Sequence, residues 1–268
     1  MVPLVVGGVQ FAVIGGTGVY DPGAFRKVKE VDVKTEFGKP SDRIVITDFN
    51  GTNVAFLPRH GAGHTIPPHM VNYRANIMAL KQLGVKKVIG LAAVGSLREQ
   101  MKPGDVVLPD QFIDMTKQRK PTFYDGPKVV HVSAADPFCP DLRKVACEVI
   151  KSMKLRFHNK GTYICIEGPR FSTRAESKLW RNFGADVVGM TLVPEAQLCR
   201  EAEMCYLSIC TVSDYDVWAE SPVSTREVIG KMKVGQENVK KIISELVPKA
   251  GGARNCSCGQ ALKDAVYG

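Results

Sequence analysis

Two adjacent basic residues in a loop of this 268-residue chain are candidates for binding or catalysis. Arg59 and His60 lie in LPRHGAGHTIPPH (57–69), a stretch rich in proline and glycine that has no helix or strand period. Arginine offers a planar fork of donors and histidine can add one more, so the pair could hold a phosphate or a carboxylate. His64 and His69 follow in the same loop, but no acidic residue stands at a useful spacing, and we expect no metal site there.

Two carboxylates end an apolar strand further along the chain, in VSDYD (212–216). Asp214 and Asp216 stand at positions i and i+2, so in an extended chain both side chains point to the same face. Such a pair could recognise an amino group, and a carboxyl whose pKa is raised could act as a general acid. A strand-to-turn motif in which the aspartates bond to their own backbone is the alternative.

A glycine-rich turn, GGTG (15–18), follows the first predicted strand. Its glycines would let the backbone approach an anion, and Thr17 would add a hydroxyl donor. The turn is neither a dinucleotide fingerprint, which needs a third glycine, nor a P-loop, which needs Gly-Lys-Ser/Thr. A plain tight turn at the strand end is the alternative.

The stretch GPRFSTRAE (168–176) places a turn before a predicted helix. Phe171 could stack on a flat base, and Ser172 could hydrogen-bond to the edge of that base. Helix capping by Ser172 or Thr173 is the alternative for the polar residues, and it leaves Phe171 unexplained.

The elements that must position these residues alternate between strand and helix, which predicts an α/β fold. Strands are predicted at 9–16, 43–49, 52–58, 86–95, 104–110, 161–168, 186–190 and 204–214, with a hairpin at Asn50-Gly51. Helices are predicted at 69–84, 139–154 and 173–182, and a last one from a cap at Ser224 to just before Pro248. We expect one domain over 1–268, with 250–268 as a C-terminal arm or short terminal helix. Ligands of open α/β sheets bind at the carboxyl ends of strands, so the residues above should meet there.

The composition narrows the class of protein. A hydrophobic fraction of 44% and a charged fraction of 24% are ordinary for a globular protein. No apolar run is long enough to span a membrane and no signal peptide is found, so we expect a cytoplasmic protein without a membrane partner. The net charge of +9 is spread along the chain without a basic, aromatic-rich face, which favours small anions over nucleic acid as partners.

Eight cysteines are many for a cytosolic enzyme. None has zinc spacing, and Cys256 and Cys258 form an isolated Cys-Ser-Cys near the C-terminus. We expect most of the eight to be small buried apolar residues. A structural disulfide, for which Cys165 and Cys210 on two predicted strands are candidates, is the alternative, since intracellular disulfides are typical of hyperthermophiles.

Taken together, these stretches resemble one enzyme family, the trimer-type purine nucleoside phosphorylases. The resemblance runs in order from about residue 11 to residue 246 and is carried by VIGGTGVYD, LPRHGAGHTIPPHMVNYRANI, AAVGSLRE, PGDVVLPDQFID, FYDG, CIEGPRFSTRAES, GMTLVPEA and SDYD. It implies a single nucleoside phosphorylase domain with a central mixed β-sheet flanked by helices. It also implies a homo-oligomer, either a trimer or a hexamer of two trimers.

The resemblance implies a role for each motif. Phosphate would be held by Thr17, Arg59, His60, the backbone of Ala93, and Thr191. The purine and ribose would contact Ala92, Phe171, Ser172, Met190 and Ser213. The 5′ group would contact Thr225, Val228, Ile229 and a His131 that reaches in from a neighbouring subunit. Asp214 would assist protonation of the purine at N7, and Asp216 would lie near its exocyclic amine.

The implied reaction is attack of phosphate on C1′ of a nucleoside, with phosphate as co-substrate and no metal or other cofactor. A carboxylate accepts from a 6-amino group and repels a 6-oxo group, which favours adenine nucleosides. An apolar 5′ pocket favours a methylthio group, as in S-methyl-5′-thioadenosine, whose cleavage serves purine and methionine salvage. The alternatives are a broad-specificity phosphorylase that also accepts adenosine, inosine or guanosine, a hydrolytic nucleosidase, and a nucleoside-binding protein without catalysis.

Overall fold

The computed structural model describes residues 8–16, 26–49, 51–219 and 225–267, without the side chains of 26, 27 and 225–234. Strands and helices alternate along the chain, so the predicted α/β class is confirmed. The strands are β1 (Phe11–Gly15), β2 (Arg26–Val31), β3 (Ile44–Phe49), β4 (Thr52–Pro58), β5 (Lys87–Ser96), β6 (Val106–Val107), β7 (Gln111–Met115), β8 (Val129–Val130), β9 (Phe157–His158), β10 (Thr162–Ile166), β11 (Val187–Gly189), β12 (Cys205–Asp214) and β13 (Val266–Tyr267). The helices are α1 (Tyr73–Gln82), α2 (Pro140–Ser152), α3 (Arg174–Asn182), α4 (Glu195–Glu201) and α5 (Thr225–Lys249).

Eleven strands of the described chain form one mixed sheet. Its order is β2-β3-β4-β1-β5-β11-β10-β7, and β12, β6 and β9 extend it from β5 in a second direction. The ten-residue strand β5 is parallel to β1 and β12, and its last residues pair antiparallel with β11. This long strand therefore joins the parts of the sheet and brings their strand ends together. β8 and β13 form a separate two-stranded ribbon.

Strand β1 shows how the core is built on both faces of the sheet. All five of its residues are buried. Successive side chains of a strand point to opposite faces. Phe11 and Val13 accordingly pack with apolar residues of α2 and α5, whereas Ala12 and Ile14 pack with apolar residues of α1 and α4. Burial on both sides explains why this strand is a continuous apolar run without alternation.

The predicted hairpin is confirmed, because β3 and β4 pair antiparallel with Phe49 opposite Thr52. Asn50 lies outside the described residues. Gly51 has a φ of +87°, a left-handed conformation that glycine adopts without strain and that tight hairpins require.

Helix α1 begins at Tyr73, later than the predicted start at 69. Pro67 and Pro68 lead into a short 3-10 turn at Pro68–Met70, which precedes the helix proper. The Asn72 side chain then caps α1 by accepting from the backbone N–H of Ala75 at 3.1 Å. The apolar spacing was therefore a correct signal for the helix but not for its first residue.

Helix α5 ends at Lys249 and includes Pro248, which the sequence places beyond its end. Pro248 has no backbone N–H to give to the helical ladder, and α5 ends one residue after it. The predicted cap at Ser224 lies outside the described residues. Helix α4 is not predicted, because its seven residues, EAQLCRE, are too few to show a periodic apolar stripe.

The candidate disulfide between Cys165 and Cys210 is wrong. Cys165 lies on β10 and Cys210 on β12, strands that do not pair with each other, and both thiols are free. All eight cysteines are free in the structure and six of them are buried, so the expectation of mostly buried thiols is confirmed.

The segment after α5 returns to the rest of the fold. Ser257–Gln260 forms a 3-10 turn, and β13 pairs antiparallel with β8. The Lys87 ammonium group donates to the carbonyls of Ala250 and Gly252, which fastens the start of this segment to β5. Among the described helices, none is both long and apolar enough to cross a membrane.

Candidate functional site

One cavity of about 840 Å³ opens where the strand ends converge. Its walls come from residues at or near the carboxyl ends of β1, β4, β5, β11 and β12, from the turn before α3, and from part of α5. The predicted site residues that line it are Arg59, His60, Ala92, Ala93, Phe171, Ser172, Met190, Thr191, Ser213, Asp214 and Asp216. The fold thus brings together side chains from stretches that are far apart in sequence.

Of the other predicted site residues, only His131 has a side chain that the structure describes. Thr17 lies outside the described residues, as do the side chains of Thr225, Val228 and Ile229. His131 is exposed beside the β8–β13 ribbon and is not among the residues that line the cavity of its own chain. The wall also includes residues that the sequence did not suggest, among them Thr65, Gly235 and Val239.

A buried ion pair fixes the arginine that follows β4. Arg59 Nε and Nη2 each donate to a carboxylate oxygen of Glu195 at 2.8 Å, and neither side chain is more than 2% exposed. Nη1 donates to the carbonyl of Leu91 at 2.9 Å, and Nη2 also to that of Ile14 at 3.3 Å. Burial opposes the charge, but Glu195 outweighs it and holds the pKa of Arg59 above its usual value. Arg59 is therefore a permanent, oriented cation in the cavity wall.

Glu195 is held in turn by Tyr206 on β12, whose hydroxyl donates to Oε1 at 2.7 Å. Gly90 on β5 makes room for this contact, because a Cβ there would lie 2.1 Å from the Tyr206 hydroxyl oxygen and 2.7 Å from Glu195 Oε1. Sequence reasoning missed both Glu195 and Tyr206. The signal that could have found Glu195 is an acidic residue inside the apolar run TLVPEAQLC, since such a residue needs a buried partner.

His60 is a neutral imidazole at neutral pH. Burial, and then the charge of Arg59, lower its pKa from 6.5 to about 4. Its Nδ1 lies 2.8 Å from the carbonyl oxygen of Ile66, and since a carbonyl only accepts, Nδ1 carries the single proton. Nε2 is then an acceptor. His60 is therefore not the second donor that the sequence suggested, and it suits a protonated oxygen of a bound anion.

The two aspartates occupy different environments. Asp214 Oδ1 accepts from the backbone N–H of Asp216 at 2.7 Å, and Oδ2 accepts from the Ser213 hydroxyl at 2.6 Å. Asp216 is 4% exposed, and its Oδ2 has no hydrogen-bond partner among the residues described. Burial, with the charge of Asp214 adding to it, raises the pKa of Asp216. The backbone turn given as the alternative is present at Asp214, and Asp216 keeps an oxygen that calls for a donor.

Thr173, and not Ser172, caps α3. Thr173 Oγ1 accepts from the backbone N–H of Glu176 at 3.1 Å, and the Glu176 carboxylate accepts from the N–H of Thr173 at 2.7 Å. The buried Ser172 hydroxyl lines the cavity and has no hydrogen-bond partner within the described part of the chain. Phe171 beside it is 38% exposed although it is large and apolar. A ligand could therefore stack on the ring and bond to the hydroxyl.

The family model of the phosphorylase superfamily matches residues 10–248. S-methyl-5′-thioadenosine phosphorylase of Thermofilum pendens is 57% identical over 258 residues, which cover 96% of this chain and 98% of that protein. The protein of the same name from Saccharolobus solfataricus is 56% identical over 261 residues, which cover 96% of this chain and 97% of that protein.

Solved structures are similar along nearly the whole chain. The crystal structure of methylthioadenosine phosphorylase sourced from an antarctic soil metagenomic library has a TM-score of 0.92 at 43% identity, covering 97% of this chain and 93% of that one. Methylthioadenosine phosphorylase from Schistosoma mansoni in complex with adenine has a TM-score of 0.90 at 38% identity, covering 95% and 96%. The similarity therefore concerns the fold as a whole and not a single motif.

Removing the charge of Glu195 should destabilise the protein strongly. Glu195→Gln leaves the buried Arg59 cation without its counter-charge, and we expect the free energy of unfolding to fall by about 3–5 kcal/mol. Denaturant unfolding measures this loss. The matched control is Glu245→Gln, which removes an exposed pair with Lys249 and should cost at most about 0.5 kcal/mol. Equal losses in the two variants would contradict the importance of the buried pair.

The depressed pKa of His60 predicts a pH dependence of stability. Between pH 6.5 and about 4 the unfolded chain binds a proton at His60 that the folded chain does not, so acidification favours unfolding in this window. From pH 7 to pH 5 the wild type should lose about 2 kcal/mol more than His60→Gln. Denaturant unfolding of both proteins at the two pH values measures the difference. Parallel losses would show that His60 titrates normally in the fold.

Proposed function

The chain belongs to the phosphorylase superfamily, and from this premise we propose that it cleaves S-methyl-5′-thioadenosine with inorganic phosphate. The products are adenine and 5-methylthioribose 1-phosphate. The predicted membership of a nucleoside phosphorylase family is confirmed, and relatives at 54–57% identity are named S-methyl-5′-thioadenosine phosphorylase. One observation carries the proposal. A single cavity joins a corner that holds the Arg59 cation and the neutral His60, called the cationic corner, to a carboxylate corner at Asp214 and Asp216.

The cationic corner suits phosphate. Arg59 supplies a fixed positive charge, and the Thr191 hydroxyl in the same wall can donate to a phosphate oxygen. His60 Nε2 can accept from the protonated oxygen of monohydrogen phosphate, which orients the anion without adding charge. Thr17 and the backbone of Ala93 complete the set that the family resemblance implies. Phosphate held there both stabilises the positive charge that develops on the ribose and attacks C1′.

The carboxylate corner suits the leaving base. Asp214 is oriented by the Asp216 N–H and the Ser213 hydroxyl, and in our proposal it assists protonation of the purine at N7. Protonation at N7 draws electrons away from the bond to the ribose, so the base leaves as a neutral molecule. General acid assistance of this kind contributes about 10²–10⁴-fold to the rate. Phe171 and Ser172 would flank the ring and Met190 the ribose.

The environment of Asp216 favours a substrate whose base is adenine over one whose base is a 6-oxopurine. Its Oδ2 is buried in the cavity wall and lacks a donor among the described groups. The exocyclic amine of adenine would supply that donor, whereas a 6-oxo group would bring a second acceptor against it. This argues against the broad-specificity alternative, for which inosine and guanosine are substrates.

The 5′ end of the substrate would lie against α5. Gly235 and Val239 of this helix line the cavity and give it an apolar surface there. Thr225, Val228 and Ile229 are proposed to continue this surface around the methylthio group. We expect no cofactor for the reaction, with phosphate as co-substrate, and we assign the enzyme to purine and methionine salvage.

The chain is also proposed to act as a homo-oligomer, a trimer or a hexamer. Val129, Val266 and Tyr267 of the β8–β13 ribbon are 43%, 42% and 79% exposed, an apolar surface that a second copy could cover. His131 lies directly after β8, and the family resemblance implies that it reaches the 5′ end of a neighbouring subunit's cavity. Sedimentation velocity should find a trimer or hexamer, and Tyr267→Glu should dissociate it. A monomeric wild type would refute this assembly.

Adenine release tests the proposed reaction. S-methyl-5′-thioadenosine, adenosine and inosine are each incubated with the enzyme, with and without phosphate, and the free base is quantified. We expect release to require phosphate and to be fastest with S-methyl-5′-thioadenosine. Release without phosphate would identify a hydrolase, and equal turnover of inosine to hypoxanthine would contradict the role of Asp216.

Substitution of Asp214 tests the proposed acid step in the same assay. Asp214→Asn should lower kcat with S-methyl-5′-thioadenosine by about 10²–10⁴-fold, because the amide cannot supply the proton. The matched control is Asp136→Asn, at an exposed position away from the cavity wall, which should leave kcat unchanged. An unchanged kcat in Asp214→Asn would remove Asp214 from the mechanism.

A further inference from the structure

One face of helix α3 packs against the short turn that carries Asp216. Arg174, Ser177 and Arg181 stand three and four residues apart on this helix, so their side chains form one row along it. The turn is the 3-10 segment Asp216–Trp218, which follows β12. The proposed reaction, as described so far, gives this row no part.

The two arginines at the ends of the row fasten the turn to α3. Arg174 Nη1 donates to the carbonyl of Val217 at 2.9 Å and to that of Ala219 at 3.3 Å. The guanidinium of Arg181 lies over the ring of Trp218, 4.3 Å from its centroid. The turn is therefore held against the helix at both ends of the row.

Ser177 stands between these two contacts and faces Asp216. It is 0% exposed, and its hydroxyl has no hydrogen-bond partner within the described part of the chain. A serine inside a helix commonly bonds to the carbonyl four residues earlier or points to solvent, and Ser177 does neither. Since Asp216 Oδ2 is also buried and unpartnered among the described residues, a donor and an acceptor that both lack partners meet between α3 and the turn.

The surroundings of Asp216 make such a donor valuable. Its φ is +51°, a left-handed conformation that a residue with a side chain adopts at a cost and that its surroundings must maintain. Burial raises the pKa of Asp216, and the charges of Asp214 on β12 and Glu176 on α3 add to the rise. The Ser177 hydroxyl is the strongest influence that opposes it, followed by the backbone N–H of Val217.

We propose that Ser177 is a positioning residue whose hydroxyl donates to the Asp216 carboxylate and keeps it an acceptor for the 6-amino group of the base. The inference rests on the proposed function and adds to it a residue that sets the choice of base. Without the hydroxyl, Asp216 would take up a proton more readily. A protonated carboxyl donates, so it would accommodate a 6-oxo group, and inosine would become a better substrate. Ser177 thus protects the preference for adenine.

The pH dependence of the choice of base tests this role. The value of kcat/KM is measured for S-methyl-5′-thioadenosine and for inosine from about pH 5 to about pH 8 in the wild type, Ser177→Ala and Ser177→Cys. The cysteine variant fills the place of the hydroxyl with a weak donor, so it serves even if Ser177→Ala does not fold. In both variants the fall in kcat/KM for S-methyl-5′-thioadenosine on acidification should begin about one pH unit higher than in the wild type, and kcat/KM for inosine should rise over the same range.

The matched control for the kinetic test is Ser244→Ala. This change also removes a hydroxyl inside a helix, one that donates to the carbonyl of Lys240 at 3.0 Å in α5 and does not line the cavity. Its pH profile should match that of the wild type. Profiles of the two Ser177 variants that also match the wild type would overturn the role of Ser177.

Denaturant unfolding gives a test that does not depend on the proposed reaction. Burial places the pKa of Asp216 in the fold above its value in the unfolded chain, and loss of the Ser177 hydroxyl would raise it further. A carboxyl of this kind costs stability as the pH rises through its folded pKa, so Ser177→Ala and Ser177→Cys should be penalised more at about pH 7 than at about pH 4. The two penalties should differ by about tenfold in the folding equilibrium constant for each unit of pKa. Equal penalties would overturn the role of Ser177 whatever the enzyme cleaves, whereas a wild type that releases no adenine would count against the proposed function instead.

Discussion

The buried pair of Arg59 and Glu195 is the interaction on which the site depends. A guanidinium removed from water stays charged only if a carboxylate and carbonyl groups surround it, because an unpaired buried charge is strongly destabilising. The groups around Arg59 come from β1, β5 and α4, and Glu195 is held in addition by Tyr206 of β12. These elements must therefore converge for the pair to form. Burial, and then the charge of Arg59, lower the pKa of His60, so the packing of these elements sets both the position and the charge state of this part of the cavity wall.

The cavity contains two kinds of electrostatic environment, one with a cation and one with two carboxylates. Its wall holds the permanent Arg59 cation and the neutral imidazole of His60, and it also holds the carboxylates of Asp214 and Asp216, the second of which is buried with one oxygen unpartnered among the described groups. Such a division suits a reaction in which an anion attacks one end of a bond while the other end takes up a proton. Met190 also lines this cavity, and the proposed reaction places the ribose near it. The proposed catalysis would rest on positioning and fixed charge.

Much of the architecture follows from local patterns in the chain. The apolar runs predicted β1, β4, β5 and β12 closely, and Asn50-Gly51 predicted the β3–β4 hairpin, because strand burial and turn conformation depend on neighbouring residues. The start of α1 was misplaced, since prolines and an asparagine cap delay the helix beyond its apolar period. Ser172 and Thr173 were equivalent capping candidates in the sequence. Only the path of the chain decided that Thr173 caps α3 and that Ser172 faces the cavity.

The sequence by itself determined the family, the α/β class, and the residue types that meet in the cavity. Motifs and hydrophobic periodicity can be recognised there because they depend on residues that are close together in the chain. The tertiary structure alone decided which distant groups become partners. Glu195 reaches Arg59 across 136 residues, Ile66 fixes the proton of His60 on Nδ1, and three separate segments bring four cysteines together. The physical reason is that a buried charge or thiol acquires its chemistry from its surroundings, through lost hydration and new contacts. Those surroundings exist only after the sheet and its helices have packed.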